Sequence, residues 1–375
     1  MAQITRALIA RVSVDLAKNV IQVHAVDAAD RRVVARSIKR DQFVAWCAQL
    51  PAGCLVAMEA CSSAHHFARK LRAMGLDARL IAASFVSPYR MEGKSGKNDM
   101  TDAAAICEAA SRPTMRFVPV KTCEQQGVMS LHRVREGLKE ERIACINQIR
   151  GVLGEFGLVF PKSAKALRAV LSDVIEDAGN ELNGLARLVV QRAFEHWREL
   201  DAHMRWCDQQ VGQQVRASVA ARRAAKITGI GELGASAFTA SVGDFRQFKS
   251  GAQFGSWLGI VPRQNSSGGK ASLGRITKRG DDYLRTLLVQ GARAAVMSAG
   301  KRDDPISRWL VQLIARVGWQ KACVAMANKN ARILWSVITR DQGFDPHHVS
   351  VKPLAKQPAH SVAAPAMPAQ AICVA

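Results

Sequence analysis

The sequence predicts an α/β domain at the N-terminus, then a helical coiled-coil arm, then a mostly α-helical C-terminal domain. Three observations predict this class. Short apolar runs alternate with helical segments over the first hundred residues, long segments with apolar residues at helical spacing fill 121–221, and a compact glycine-punctuated stretch covers 222–343. We therefore assign 1–120, 121–221 and 222–343 to these three parts. The tail, 344–375, ends in a stretch rich in Ala, Pro and Val and is expected to be disordered.

Within the α/β part, strands and helices follow one another closely. A-L-I-A-R-V-S-V-D (7–15) has the composition of a strand that ends in an acid, and the runs at 20–27 and 32–38 flank a polar turn, as in a hairpin. The remaining predicted elements are helix 41–50, strand 54–60, helix 63–74 and strand 78–83. This order predicts a mixed sheet with helices on its faces.

The middle of the chain is predicted to form long antiparallel helices that are broken near residues 157–162. Basic side chains recur there among glutamates, at Arg133, Arg135, Lys139, Arg142 and Arg150. Two interpretations stay open. The pattern is typical of a salt-bridged face in solvent, and it also fits an arm that grips RNA or a second subunit.

Charge is the strongest compositional signal. The chain has 53 Lys and Arg against 31 Asp and Glu, a formal net charge of +22. A globular protein this basic usually binds a polyanion, and nucleic acid is the commonest one. No run of 18 or more apolar residues exists, so we expect no membrane span.

Cysteine usage and the N-terminus indicate the compartment. The nine cysteines show no zinc-ligand spacing, and we expect Cys47, Cys54 and Cys61 to be reduced and mostly buried thiols. No signal peptide opens the sequence. These features favour a cytosolic protein.

Four acids are candidates for one site. Asp15 and Glu59 lie at the carboxyl ends of predicted strands, where open α/β sheets bind ligands. Asp99 and Asp102 begin an alanine-rich helix and share one face of it. Four converging carboxylates would require a counter-charge, and Mg²⁺ or Mn²⁺ would supply it. Two such ions can clamp both oxygens of a phosphodiester that is being cleaved.

Each acid also has an ordinary structural explanation. Asp99 is a suitable helix cap, Asp102 complements the helix dipole, and strand-end acids are common at surfaces. A sugar kinase or actin-like ATPase also begins with a strand ending in Asp, but the glycine-rich phosphate loops of that class are missing. His65 and His66 follow the Glu59 strand and are expected to be a solvated pair at a helix start.

An ordered set of motifs resembles the insertion-sequence-110 type of transposases, the DEDD recombinases related to the pilin-gene invertase. In the first half the motifs are D-L-A-K-N (15–19), M-E-A (58–60), K-N-D-M-T-D-A (97–103) and N-Q-I-R-G-V-L (147–153). In the second half they are I-T-G-I-G-E-L-G-A (227–235), F-G-S-W-L-G-I-V-P-R (254–263) and the stretch 266–285.

The resemblance implies an RNase H-like, Holliday-junction-resolvase-like N-terminal domain with Asp15, Glu59, Asp99 and Asp102 as its metal-binding tetrad. It also implies a serine nucleophile after the Pro-Arg, best matched by Ser267, with Ser266 adjacent. The partners it implies are DNA at the insertion ends and target, a structured non-coding bridge RNA, and further copies of the chain in a dimer or tetramer.

The second half gives weaker signals by itself. A Ser-Gly stretch is most often a flexible loop, but cations that could hold phosphates surround it: Arg263, Lys270, Arg275, Lys278 and Arg279. The glycines at 227–235 resemble a helix–hairpin–helix turn, whose amides can hold a phosphate. Phe254 and Trp257 are expected to fill the core rather than to stack on bases, and Tyr283 to pack inward from a helix start.

The predicted function is therefore a Mg²⁺-dependent transposase or recombinase that cleaves and rejoins DNA with a four-acid site and a serine nucleophile. Arg142 and Arg150 of the arm, with the five cations around the Ser-Gly stretch, are the predicted nucleic-acid contacts. Two alternatives stay open: a metal-dependent junction nuclease without a serine adduct, and a non-catalytic basic nucleic-acid-binding protein.

Overall fold

The computed structural model describes residues 8–90, 99–265 and 272–348; of residue 99 it describes the backbone alone. The N-terminal part is built on a sheet of six strands. In chain order these are β1 (Arg11–Leu16), β2 (Val20–Val26), β3 (Arg32–Lys39), β4 (Leu55–Glu59), β5 (Asp77–Ile81) and β6 (Phe117–Val118). Their order across the sheet is β3-β2-β1-β4-β5-β6.

The strand directions bring two predicted acids to one edge. The strands β1, β2 and β3 form an antiparallel meander, whereas β4 runs parallel to β1 on its other side and β5 parallel to β4. Val14 of β1 pairs with Met58 of β4. Asp15 and Glu59 are the next residues on these two neighbouring strands, so their backbones lie side by side at the carboxyl edge.

Helices cover both faces of this sheet. The helices α1 (Phe43–Cys47) and α2 (Ala64–Ala73) pack on one face, against a core that includes Val14 and Met58. After a short α3 (Ala83–Val86), the helix α4 (Asp99–Ser111) packs on the other face, where Ala57 and Ile106 belong to one buried cluster. The strands β1 and β4 therefore bury alternate residues against different helices, which explains their nearly continuous apolar runs.

Two long antiparallel helices form the arm. These are α5 (Cys123–Glu155) and α7 (Gly184–Ala217), joined through α6 (Ala164–Glu176). A capping box at Thr122 fixes the start of α5, because its hydroxyl accepts from the Gln125 amide and the Gln125 side chain accepts from the Thr122 amide. The buried cluster between them includes Ile149, Trp197 and Leu200.

The C-terminal part is mostly helical around its own core. It contains α8 (Val219–Ala225), α9 (Glu232–Val242), α10 (Gly251–Trp257), the strands β7 (Pro262–Gln264) and β8 (Leu273–Ile276), α11 (Asp282–Ser298), α12 (Pro305–Val317) and α13 (Trp319–Thr339). Phe238, Phe254 and Leu334 are fully buried in this core. Trp257 stacks on Phe254, with ring centroids 5.9 Å apart, yet is 40% exposed. The expectation of a buried Trp257 was therefore wrong, whereas that for Phe254 was correct.

Close backbone packing ties the β7–β8 hairpin to the end of α10. Gly259 has a φ of +72°, and a Cβ on Gly280 would lie 2.3 Å from the carbonyl oxygen of Trp257. Glycine is required at both positions, the first for its backbone angle and the second for space. The amides of Thr277 and Lys278 donate to the carbonyls of Val261 and Gly259, each at 2.9 Å.

The structure confirms the predicted α/β N-terminal part, the hairpin, and the helical break near residues 157–162. The sequence analysis did not predict β6, α3 or the β7–β8 hairpin, which are all short. Across the described ranges, no helix is both long enough and apolar enough to cross a membrane. The domain boundaries and the coiled-coil geometry of the arm stay predictions.

Candidate active site

One face of the sheet carries the predicted acids beneath the first turns of α4. Ser13 is fully buried, and its hydroxyl donates a hydrogen bond of 2.6 Å to the carbonyl oxygen of Ala103 in α4. Because side chains alternate along a strand, Asp15 points to the same face as Ser13, and Glu59 to the same face as Ala57. Asp102, beside Ala103, is 7% exposed. Three acids from three elements therefore lie around one edge.

An arginine joins two of these acids. Arg90, just after the 3-10 turn Ser87–Tyr89, places Nη2 2.8 Å from Oε2 of Glu59 and Nε 2.9 Å from Oδ1 of Asp102. Only the contact with Glu59 has hydrogen-bond geometry, and the contact with Asp102 is an ion pair. A single guanidinium therefore supplies positive charge to carboxylates from a strand and from a helix.

Asp15 lies next to this pair. Cys61, two residues after Glu59, is exposed, and partial desolvation and the negative charges of Glu59 and Asp15 raise the pKa of its thiol. Across the β1–β2 ladder, Asp15 pairs with Gln22, whose Oε1 is buried and has no hydrogen-bond partner in the described part of the chain. A buried oxygen without a donor is suited to a cation.

The residues fit a hard divalent cation in chemistry. Carboxylate and amide oxygens are the ligands that Mg²⁺ prefers. Among the described side chains, which exclude that of Asp99, no three His, Cys, Asp or Glu come close enough to hold a metal ion. His65 takes another role, because its Nδ1 accepts from the Lys121 amide at 3.1 Å. Burial and the nearby cations lower the pKa of His65 to about 4.

The predicted serine site is described only at its borders. Ser266, Ser267 and Lys270 lie outside the described residues, between β7 and β8 in the sequence. Four predicted cations on the borders are exposed and form no ion pair with a described acid: Arg263, Arg275, Lys278 and Arg279. The exposed Trp257 precedes the hairpin directly. The border of the serine segment is therefore strongly positive.

Comparison with known proteins decides the family. A profile described as the transposase IS116/IS110/IS902 family matches residues 221–306, and a profile for the DEDD transposases of insertion sequence 110 matches 12–157. A probable family 20 transposase of Pseudomonas aeruginosa is 47% identical over 339 residues, 90% of this chain and 99% of that protein. The chain is a member of the IS110 family of transposases. It is thus an enzyme that cleaves and rejoins DNA.

Two further relatives agree. The transposase for insertion sequence element IS1111A of Coxiella burnetii is 40% identical, over 88% of this chain and 90% of that one. The transposase for insertion sequence element IS1328 of Yersinia enterocolitica is 35% identical, over 89% of this chain and 98% of that one. The predicted family is thereby confirmed over most of the chain.

In the arm of this transposase, most of the predicted cations already have partners. Arg142 pairs with Asp201, which also pairs with Arg168, and Arg135 pairs with Asp208 at 2.6 Å. Arg150 donates to the carbonyl oxygen of Lys162 at 2.7 Å. This is the salt-bridged arrangement of the first interpretation. Nucleic-acid contacts by Arg142 and Arg150 stay predictions.

A buried histidine connects the arm to the C-terminal part. His132 of α5 is 4% exposed, with Nδ1 2.9 Å from the Tyr283 hydroxyl and Nε2 3.0 Å from the Ser236 hydroxyl. Burial and the positive charge of Arg135 lower the pKa of His132 to about 4. The neutral ring therefore donates one hydrogen bond and accepts the other. Tyr283 packs inward, as predicted.

The sequence analysis missed two residues of the carboxylate site. Arg90 lies in a connection without periodicity, and no local pattern reports its ion pairs. Gln22 lies opposite Asp15 in the β1–β2 ladder, a strand pairing that the sequence analysis did not predict.

Proposed function

We propose that this transposase cleaves DNA at a metal site formed by Asp15, Glu59, Asp102 and Asp99 in an RNase H-like domain. The observation that carries the proposal is the shared cation: Glu59 and Asp102 come from distant parts of the chain and contact one guanidinium. Support for the domain type comes from the three-stranded meander continued by parallel strands, with acids at adjacent carboxyl ends.

The chain's own residues would divide the work at this site. The carboxylates of Asp15, Glu59 and Asp102 would hold Mg²⁺ or Mn²⁺, with the Gln22 amide oxygen as a further candidate donor. The bound ions would supply charge to the attacking and leaving oxygens of the scissile phosphodiester. Arg90 would leave the carboxylates when they bind metal, because its charge would compete with that of the ion for Glu59 and Asp102.

The proposed nucleophile is Ser267, in the segment between β7 and β8. Attack by its oxygen on the phosphorus would form a phosphoserine ester and release a DNA hydroxyl, and the reverse attack by a hydroxyl would rejoin a strand without ATP. Arg263, Arg275, Lys278 and Arg279 would hold the phosphates around it, as would Lys270. The serine segment and the carboxylate site would meet between parts of one chain or between subunits.

A covalent trap tests the serine. Radiolabelled insertion-end DNA is incubated with the protein, RNA transcribed from the non-coding region beside the gene, and Mg²⁺, and the products are denatured and separated by gel electrophoresis. We expect a protein–DNA adduct with wild type and with Ser266→Ala, and none with Ser267→Ala. Cleaved DNA without an adduct in the wild type would support the junction-nuclease alternative. An undiminished adduct in Ser267→Ala would reject this serine.

We propose further that a non-coding bridge RNA guides the reaction and that the chain acts as a dimer or tetramer. Support for both comes from the family and from the net charge of +22. A non-coding region beside the gene, with segments complementary to both insertion ends and target, is expected. Light scattering with and without that RNA gives the number of subunits, and a monomer in both states would contradict the assembly.

A further inference from the structure

A cationic cleft lies at the same edge of the sheet as the carboxylates. It encloses about 730 Å³ between the β1–β2 turn, the end of β3 and the outer side of α2. Basic side chains dominate its wall, with one acid among them: Lys18, Lys39, Arg40, Lys70, His66 and Asp41. The three lysines are exposed and form no ion pair with any described acid.

Arg40 is fixed in this wall without losing its charge. Its Nη1 donates to the Ala17 carbonyl oxygen at 2.9 Å, its Nη2 donates to the Ser63 hydroxyl at 2.6 Å, and its guanidinium lies 4.9 Å from the centroid of the Phe67 ring. All three partners are uncharged. The positive charge therefore stays available to an anion.

The same contacts connect the cleft to the carboxylate site. Ser63 ends the turn that follows Glu59 and has a φ of +65°, a backbone angle that residues other than glycine rarely adopt. Ala17 follows Asp15 by two residues. One arginine thus contacts both turns that leave the acid-bearing strands. The cleft lies at the same edge of the sheet as the carboxylates, on the side covered by α1 and α2.

The cations of the cleft differ from those of the arm in having no acidic partner among the described residues. In the arm, Arg135, Arg142 and Lys139 are neutralised by acids. A cleft lined by charges of one sign concentrates its field on ligands of the opposite sign, so four cations without an acidic partner among the described residues favour an external anion. Phe67 in the wall is 4% exposed, so its ring is not open to a base, and the exposed ring beside it is that of His66.

We propose that this cleft binds the sugar–phosphate backbone of the DNA strand that leads into the carboxylate site. The inference rests on the proposed function, because that site defines the strand. Lys39, Lys70 and Lys18 contact successive phosphates, and Arg40 holds the phosphate nearest the site. Recognition is independent of base sequence, since the contacts are to backbone charge.

The test is the salt dependence of DNA binding by full-length protein without divalent metal, so that no cleavage is needed. Fluorescein-labelled 30-nucleotide single-stranded DNA is titrated between 50 and 200 mM NaCl with wild type and Lys39→Ala/Lys70→Ala. Lys18 is kept, because it lies three residues from Asp15. The matched control is Lys165→Ala/Lys321→Ala, which removes two exposed lysines outside the cleft.

Loss of two phosphate contacts reduces the slope of log affinity against log salt by about 1.4 for a single strand. The fourfold rise in salt then weakens binding about 7-fold less than in the wild type. We expect this change in the cleft variant, equally for two unrelated DNA sequences, and an unchanged slope in the control. Equal slopes in the two double variants would overturn the proposal.

A second arm of the experiment identifies the ligand. If the cleft variant loses affinity for RNA of the same sequence while its DNA slope is unchanged, the cleft binds RNA and the proposal is wrong. Failure here is separable from failure of the proposed function, because wild-type cleavage in Mg²⁺ is measured independently of the cleft variant.

Discussion

Replacement of Arg90 by Gln tests the idea that its guanidinium occupies the position of a metal ion. The substitution keeps a polar side chain and removes the charge shared by Glu59 and Asp102. Without metal the two carboxylates are left facing each other, at side-chain exposures of 19% and 10%. With metal, the carboxylates no longer have to release a competing cation.

The size of the effect follows from these contacts. Two like charges about 6 Å apart repel by roughly 3 kcal/mol at an effective dielectric constant of about 20. Because Arg90 is 36% exposed, solvent screens part of this interaction, and we expect a loss of about 2 kcal/mol in the metal-free protein. This corresponds to a fall in Tm of roughly 4–8 °C. Binding of Mn²⁺ would neutralise the two carboxylates and relieve this repulsion, so the Kd for Mn²⁺ should be about 10–30-fold lower in Arg90→Gln than in the wild type.

The assay combines thermal unfolding with and without Mn²⁺ and calorimetric titration of Mn²⁺ into the full-length protein. Arg79→Gln is the control, because Arg79 pairs with Asp77 at the start of β5, away from the carboxyl edge, with both side chains about 40% exposed. Its stability should change by less than about 1 kcal/mol and its Mn²⁺ affinity not at all. An Arg90→Gln variant that binds Mn²⁺ no more tightly than wild type would refute the reasoning.

Three further predictions concern packing and protonation. Gly280→Ala should destabilise the C-terminal part by about 1–3 kcal/mol in urea unfolding, because its Cβ would meet backbone, whereas Gly300→Ala, with open space, should not. Asp201→Asn should cost about 2–4 kcal/mol, since it leaves two arginines of the arm without their acid. Lowering the pH from 6.5 to 4 should reduce the free energy of unfolding more in the wild type than in His132→Gln, and the difference between the two losses should be at most about 3 kcal/mol. The reason is that His132 takes up a proton in the unfolded chain over this range, whereas the buried ring in the folded protein largely does not.

Each of these predictions has a contradicting result. Equal urea midpoints for the two glycine variants would mean that the crossing at Gly280 relaxes freely. A fully stable Asp201→Asn variant would mean that the arm does not depend on its ion pairs. If wild type and His132→Gln lose stability in parallel over this pH range, the buried ring does not titrate as described.

Much of the α/β part was predictable, because its central strands β1 and β4 are buried on both faces and its turns contain clear breakers. The edge that unites Asp15 and Glu59 followed from the rule for open sheets, and the pairing of β1 with β4 agrees with it. The position of α4 over that edge depends on Ser13 and Ala103, which carry no chemical motif.

Other features could not be predicted because their causes lie far apart in the chain. Arg90 gains its role from carboxylates 31 residues before it and 12 after it, and no periodic pattern encodes such a contact. Trp257 was expected in the core on composition, yet it stays 40% exposed, because α10 ends there and the chain turns at Gly259.

The most direct measurement is cleavage of end-labelled insertion-end DNA, in the presence of RNA transcribed from the flanking non-coding region, by wild type, Asp102→Asn and the control Asp77→Asn, each with Mg²⁺ and with EDTA. The account predicts strand cleavage by wild type and Asp77→Asn in Mg²⁺ alone, and a loss of at least about 100-fold in Asp102→Asn. Cleavage that persists in EDTA, or that survives undiminished in Asp102→Asn, would contradict a carboxylate-held metal as the basis of strand breakage.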